Sequence, residues 1–167
     1  MQPRPGKDEK IFNVIKYKSM TDERDENGNL LPDTKRLTKV GCFVRATSID
    51  ELPQFINVLK GDMALIGPRP LLVEYLPYYT EREAKRHSVR PGITGYTQVH
   101  GRNNLPWDER LEMDVYYVEH LSFRTDFMVF WRTIVNVLSR KDVQVITGDQ
   151  RTSKLSQQRI PQRDIKI

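Results

Sequence analysis

The sequence predicts a mixed α/β, helix-rich single domain with a small N-terminal β-element and several amphipathic helices. Three observations support this class. Ile11-Phe-Asn-Val-Ile-Lys-Tyr17 carries β-branched and aromatic residues in rough alternation. From Lys35 to Leu138, apolar residues recur mostly at helical spacing, broken by glycine and proline. The 167 residues are 38% hydrophobic and 29% charged, which suits one globular domain with a modest core.

In chain order, Arg4-Pro-Gly6 reads as a turn leading into the Ile11–Tyr17 strand. Lys16 and Lys18 at its end can face a diphosphate or stand as ordinary exposed lysines. Thr21 to Asp33 reads as a solvated loop: Asp22, Glu23, Asp25 and Glu26 precede the turn pair Asn27-Gly28, without calcium-loop spacing. Lys35 to Ala46 reads as a helix with Leu37, Val40, Phe43 and Val44 on one face. Gly41 weakens it, and Cys42 is expected in the core.

The most informative stretch is Arg45-Ala-Thr-Ser-Ile-Asp-Glu-Leu-Pro-Gln54. Hydroxyl residues, two adjacent carboxylates and Pro53 before an apolar run mark a helix start. Two frames fit. Ser48 as cap makes a capping box with Glu51 but leaves Pro53 opposed to the carbonyl of Ile49. Asp50 as cap puts Pro53 in the first turn. Either frame places both carboxylates at the positive end of a helix dipole, which favours their ionised form. An ionised Asp50 flanked by Arg45 and Arg69 suits attack on a phosphoryl group; the plain alternative is a helix cap. Leu52, Phe55, Ile56 and Leu59 then make a short amphipathic helix that ends near Gly61.

Met63-Ala-Leu-Ile66 is a short buried run before Gly67-Pro-Arg-Pro70, where flanking prolines hold the backbone extended around Arg69. A guanidinium clamps phosphate well because its planar fork donates two parallel bonds. Residues 71–88 read as one helix, and Arg90-Pro-Gly-Ile-Thr-Gly95 as a glycine-bearing loop. The loop's N–H groups can meet phosphate or a base edge, or simply form a tight turn. Pro106 opens a helix that runs to His120, with Leu111, Val115 and Val118 buried. Phe123–Leu138 forms the most hydrophobic helix, suited to the core, to a membrane interface, or to one on each face.

Charge and composition narrow the function. Net charge is +5, yet the segment from Arg140 onward holds seven basic residues against three acidic ones. That leaves the rest of the chain, residues 1–139, nearly neutral, and with it the domain proper, 1–140. A nucleic-acid surface across it is not expected. Residues 141–167 read as a basic, flexible tail whose charge can aid contact with anionic lipid. The single Cys42 excludes an internal disulfide framework and fits a reducing setting. The three histidines are scattered, so a zinc site is not expected. No apolar run approaches the roughly 20 residues of a membrane span, and no signal peptide is evident at the start.

Arg45-x-Thr-Ser-x-Asp-Glu-Leu-Pro-Gln54, Asn57-Val-Leu-Lys-Gly-Asp-Met63, Gly67-Pro-Arg-Pro70 and Arg90-Pro-Gly-Ile-Thr-Gly95 resemble, in order, the motifs of the bacterial sugar transferase family. These are the small monotopic phosphoglycosyl transferases that load a sugar phosphate onto polyprenyl phosphate. The resemblance runs from about Arg4 to Arg140. It implies a UDP-sugar donor, polyprenyl phosphate acceptor and Mg²⁺. It also implies catalytic Asp50 and Glu51, with Glu51 helping to hold the metal. Arg45, Arg69 and Lys16 would bind substrate phosphate, and Arg90, Thr94, Gln98 and Arg102 the nucleotide. His100 stands where the family often has Asn. On this resemblance the chain begins inside a motif that normally follows a hydrophobic membrane segment. The expectation is therefore a catalytic portion lacking that segment, working at the cytoplasmic face of the bacterial inner membrane, with an oligomer possible. The rivals are a nucleotide-sugar sensor without turnover and a basic RNA-binding module. The near-neutral domain disfavours the second.

Overall fold

The computed structural model describes residues 1–101, 105–139 and 154–163. It is a mixed α/β, helix-rich domain with two small two-stranded sheets. Strands β1 (Gln2–Pro5) and β2 (Ile11–Val14) form an antiparallel ribbon with Gln2 opposite Val14 and Pro5 opposite Ile11. Arg4 and Pro5 therefore lie in a strand; the reversal that the sequence places at Arg4-Pro-Gly6 occurs after it. Gly6 donates to the carbonyl of Lys10 across that reversal (2.8 Å). The second sheet pairs β3 (Ala64–Ile66) and β4 (Gly92–Thr94) in parallel, with Ala64 opposite Gly92 and Ile66 opposite Thr94. It joins the two motif loops Gly67–Pro70 and Arg90–Gly95 side by side.

The expected helix from Lys35 to Ala46 is two pieces, α1 (Asp33–Arg36) and α2 (Lys39–Ala46). Thr38 divides them in an extended conformation, its hydroxyl accepting from Gly41 N–H (2.8 Å). Leu37 sits in the break and bridges to Met20. Cys42 is half-buried rather than a core residue, and Val40 and Phe43 face solvent. Gly41 is buried, and a Cβ there would overlap the carbonyl oxygen of Ser19.

Helix α3 (Gln54–Lys60) ends at Gly61, whose φ of 82° is the left-handed cap conformation the sequence anticipates. Its polarity is the reverse of the expected one. Gln54 and Asn57 are buried, whereas Leu52, Phe55, Ile56 and Leu59 are exposed. The single helix expected over residues 71–88 is broken into three. A 3₁₀ turn spans Val73–Tyr78 around Pro77, α4 (Glu81–Ala84) follows an extended Thr80, and a second 3₁₀ turn covers Lys85–Ser88. Pro77 removes one backbone donor, and Thr80 restarts the chain with a capping box to Glu83. Met63 is buried, but Leu65 of the run that follows is exposed.

After α5 (Tyr96–His100) come α6 (Trp107–Glu119) and α7 (Phe123–Leu138), at the bounds that the sequence suggests. The main core gathers Tyr75, Leu76, Tyr79, Trp107 and Leu111, with Tyr75 and Trp107 edge to face at 5.3 Å. Leu155 of α8 (Leu155–Gln158) completes it. The segment 154–163 is thus no flexible tail but a strap across the body. Arg159 pairs with Glu83 (2.7 Å), Arg163 pairs with Glu9 (2.7 Å), and the carbonyl of Pro77 accepts from Gln162 N–H (2.7 Å). The rest of the expected tail, 141–153 and 164–167, lies outside the described residues.

Gly41→Ala should destabilise the domain, although alanine is intrinsically favoured in a helix by about 1 kcal/mol. The obstructing atom belongs to backbone and cannot rotate away. A lower urea midpoint in equilibrium unfolding is the expected result.

Candidate active site

The carboxylates Asp50 and Glu51 lie in a 3₁₀ turn, Ile49–Glu51, just ahead of α3. Neither of the two helix frames is realised. Ser48 adopts a left-handed conformation (φ 55°) with no capping bond, and Pro53 occupies the cap position of α3. The turn is fixed by cross-links to the end of β2. Tyr17 N–H donates to the carbonyl of Asp50 (3.2 Å), and Ile15 N–H donates to Oδ1 of the buried Asn57 (3.1 Å). Asn57 Nδ2 also donates to the carbonyl of Asn13 (2.9 Å) and to Asp62 (3.3 Å). Lys16, lying between Ile15 and Tyr17, is therefore aimed by backbone bonds on both sides.

Lys16 Nζ and Arg69 Nη2 converge on the same oxygen, Glu51 Oε1, at 2.9 and 3.0 Å. Burial alone would raise the Glu51 pKa. The charges of Arg69 and Lys16 and their hydrogen bonds override it and hold the carboxyl at about 2. Asp50 behaves oppositely: partial burial raises its pKa against the pull of Lys16, with the neighbouring Glu51 charge adding to the rise. The ionised form expected for both carboxylates is favoured at Glu51 by ion pairing, whereas partial burial works against it at Asp50. Lys16 is lowered by burial and by Arg69, and Arg69 is raised chiefly by Glu51. The result is a desolvated carboxylate beside two fixed cations, an arrangement suited to a phosphoryl group carrying negative charge.

The loop carrying Arg69 has few donors of its own, since Pro68 and Pro70 lack N–H groups. It is held from outside. Gly67 N–H donates to Thr94 (3.0 Å), Gly92 N–H to Pro68 (3.0 Å), and Arg86 Nη2 to the carbonyl of Arg69 (2.7 Å).

The other site residues are placed as follows. Arg45 is exposed and donates to Ser19 Oγ (3.0 Å) and Met20 Sδ (3.2 Å), near enough to Asp50 to lower its pKa slightly. Arg90 is exposed, with its guanidinium beside Gly61. Thr94 shares its hydroxyl with Thr133 of α7 (2.8 Å). Gln98 donates to the carbonyl of Ile93 (3.2 Å), leaving Oε1 buried without a partner among the described residues. Arg102 lies outside the described residues. The structure therefore gathers Lys16, Asp50, Glu51 and Arg69, flanked by Arg45; it does not bring Thr94 and Gln98 into contact with the carboxylates. His100 stacks on Tyr96 at 4.0 Å and pairs with Arg132.

Sequence reasoning missed Arg86, Asp114, Thr97 and the hub role of Asn57. Asp114 left a readable signal: it is a carboxylate on the face of α6 that also bears Leu111 and Val115, where a charge needs a buried partner. Among the described residues, no three His, Cys, Asp or Glu side chains gather as a metal cluster. A cation here would take one or two protein oxygens and complete its shell with water and substrate phosphate, the manner of Mg²⁺. Because both ion pairs converge on Glu51 Oε1, the donor set of Glu51 Oε2 and Asp50 fits such an ion.

An acid pair backed by one cation from the end of β2 and one from the Gly67–Pro70 loop is an arrangement suited to handling phosphate. The bacterial sugar transferase family model matches residues 1–140, and the chain belongs to that family. It is 54% identical over 143 residues to an uncharacterized sugar transferase, EpsL, of Bacillus subtilis, covering 86% of this chain and 71% of that protein. It is 40% identical over 148 residues to a UDP-N-acetylgalactosamine-undecaprenyl-phosphate N-acetylgalactosaminephosphotransferase of Aeromonas hydrophila. It is 36% identical over 154 residues to an undecaprenyl-phosphate galactose phosphotransferase of Salmonella typhimurium. Those two matches cover 83% and 82% of this chain, which spans only 35% and 32% of the two relatives.

Glu51 also sets a pH dependence. Its folded pKa lies below its unfolded value of 4.5, so its contribution is present above pH 4.5 and is lost as pH falls toward about 2. The shift corresponds to about 3 kcal/mol. Glu51→Gln should lower stability at pH 7 and flatten the acid limb of a stability–pH curve measured by urea unfolding.

Proposed function

We propose that this chain transfers a sugar 1-phosphate from a UDP-sugar to polyprenyl phosphate, releasing UMP, in the first membrane step of bacterial glycan assembly. The observation that carries this reading is the convergence of Lys16 and Arg69 on Glu51, immediately beside the partly buried Asp50. The relatives' names, with undecaprenyl phosphate common to two of them, support the same class.

In the first step an Asp50 carboxylate oxygen attacks the β-phosphorus of the donor. An Asp–O–P bond forms and the bond to the UMP oxygen breaks, so the leaving group departs with the electron pair. In the second step a phosphate oxygen of the polyprenyl acceptor attacks the same phosphorus, the acyl phosphate bond breaks and Asp50 is regenerated. Splitting the displacement in two makes a weak nucleophile serviceable. Its partial burial strips water that would otherwise blunt the attack. Arg69 and Lys16 balance the charge on the phosphoryl oxygens, and Arg45 adds a positive field from the exposed side. Glu51 anchors both cations through one oxygen and, with Asp50, would hold Mg²⁺. When bound, the ion neutralises diphosphate charge.

The apolar surfaces suit a lipid-borne acceptor. No helix among the described residues is long and apolar enough to cross a membrane. Yet Phe123, Phe127, Trp131 and Leu138 of α7 are exposed, as are Phe43 of α2 and Leu59 of α3. Aromatic and aliphatic groups interleaved with Arg124 and Arg132 are what an interfacial helix presents.

UMP release from a panel of UDP-sugars, with Mg²⁺ and undecaprenyl phosphate, tests the reaction. Asp50→Asn should lower it by at least about three orders of magnitude, and Arg69→Lys by roughly 10²-fold. Donor binding without release in the unaltered chain would favour the sensor reading instead. Separately, replacing Phe127 and Trp131 together by Glu should reduce co-sedimentation with anionic vesicles and leave thermal stability nearly unchanged, since both side chains are more than half exposed.

A further inference from the structure

Behind the site lies a buried polar cluster that the proposed chemistry does not use. Arg86, in the 3₁₀ turn Lys85–Ser88, and Asp114 of α6 form an ion pair with side chains only 1% and 8% exposed. Arg86 Nε and Nη2 both donate to Asp114 Oδ2, at 3.0 and 2.7 Å. Thr97 of α5 donates to the other oxygen, Oδ1, at 2.6 Å. Arg86 Nη2 has a further acceptor, the carbonyl of Arg69 at 2.7 Å.

A buried ion pair is weak evidence of stabilisation, because desolvation offsets most of the attraction and apolar residues of equal volume often do as well. What it supplies here is direction. The guanidinium fork is planar, and two of its donors are fixed on one carboxylate oxygen, so little freedom remains in the Nη2–H that meets Arg69. Asp114 is itself fixed by Thr97. The chain of contacts Thr97–Asp114–Arg86–Arg69–Glu51 thus runs from α5 and α6 to the acid pair. Its last two links are 2.7 and 3.0 Å. The peptide it grips is the one whose neighbours, Pro68 and Pro70, cannot donate.

We propose that Arg86 is a positioning residue, which through its bond to the Arg69 carbonyl sets where the Arg69 guanidinium stands against Glu51 and the transferred phosphoryl group. This rests on the phosphoryl-transfer reading for its catalytic consequence, though not for its structural one. A cation misplaced by about 1 Å costs on the order of 10²-fold in rate. Loosening the chain should therefore act on turnover with little effect on donor KM.

Two readouts keep the two readings apart. The first is the Nε–H resonance of Arg69 in ¹⁵N-labelled 167-residue chain, which reports its pairing with Glu51 without any reaction. The second is kcat and KM for UMP release. Thr97→Val and Asp114→Asn preserve volume and should each shift or broaden the Arg69 resonance and lower kcat tenfold or more. Thr97→Ser should restore both. Leu111→Ala, also on α6 and fully buried, should lower stability by at least as much while leaving the resonance and kcat in place. An unchanged Arg69 resonance in both folded variants overturns the proposal, as does equal loss of kcat in Leu111→Ala. A shifted resonance in a chain that releases no UMP supports the positioning and counts against the transferase reading alone.

Discussion

Everything at the site depends on one oxygen atom. Glu51 Oε1 receives Lys16 from the end of β2 and Arg69 from the loop after β3, and so ties the two segments together. Like cations repel, and Arg69 lowers the readiness of Lys16 to stay charged. A shared carboxylate is what lets both sit within hydrogen-bond reach of one point. Asp50, one residue earlier, then finds itself beside cations whose charge is already partly balanced. It is held against full ionic pairing and half withdrawn from water. A nucleophile needs that condition: a carboxylate tightly paired with an arginine would be stable and inert.

The scaffold makes this point rigid by pinning backbone rather than side chains. Asn57 fixes the peptides on either side of β2's end, and Arg86 fixes the peptide of Arg69. Both are buried polar residues that make three hydrogen bonds each. Such groups over-determine local geometry because any movement leaves a desolvated donor or acceptor alone. The parallel pairing of β3 with β4 adds the third constraint, laying the Gly67–Pro70 loop along the Arg90–Gly95 loop.

Much of this is legible in the sequence, and what is not has physical causes. The bounds of α6 and α7 and the Gly61 cap follow from local rules, periodicity and glycine conformation, whereas Asp50, Glu51, Lys16 and Arg69 are singled out by motifs that resemble the family's. The polarity of α3 does not follow. Periodicity reveals that Leu52, Phe55, Ile56 and Leu59 share a face, but not that the face looks outward, with Gln54 and Asn57 turned in. The break at Leu37 and the division of residues 71–88 depend on Thr38 and Thr80 finding cap partners in competition with continuous helix. The pairing of Arg86 with Asp114, 28 residues apart, leaves no local trace beyond a charge on an apolar face. The strap at 154–163 escaped notice because a basic, glutamine-rich stretch has no periodicity. Its order comes from acids elsewhere: Glu9, Glu83 and Asp108.

That strap has a consequence for how the chain is made. Arg163 and Glu9 stand 154 positions apart, and Leu155 fills the core beside Tyr75 and Trp107. Closing so long a loop costs little more entropy than closing a short one, since the cost grows only with the logarithm of length. Its timing, however, is fixed by synthesis. The ribosome delivers Leu155 after Tyr75, Leu76, Tyr79, Trp107 and Leu111 have emerged, so the nascent domain presents an unfilled apolar hollow until α8 arrives. During that interval the hollow is open to chaperones or to another nascent chain.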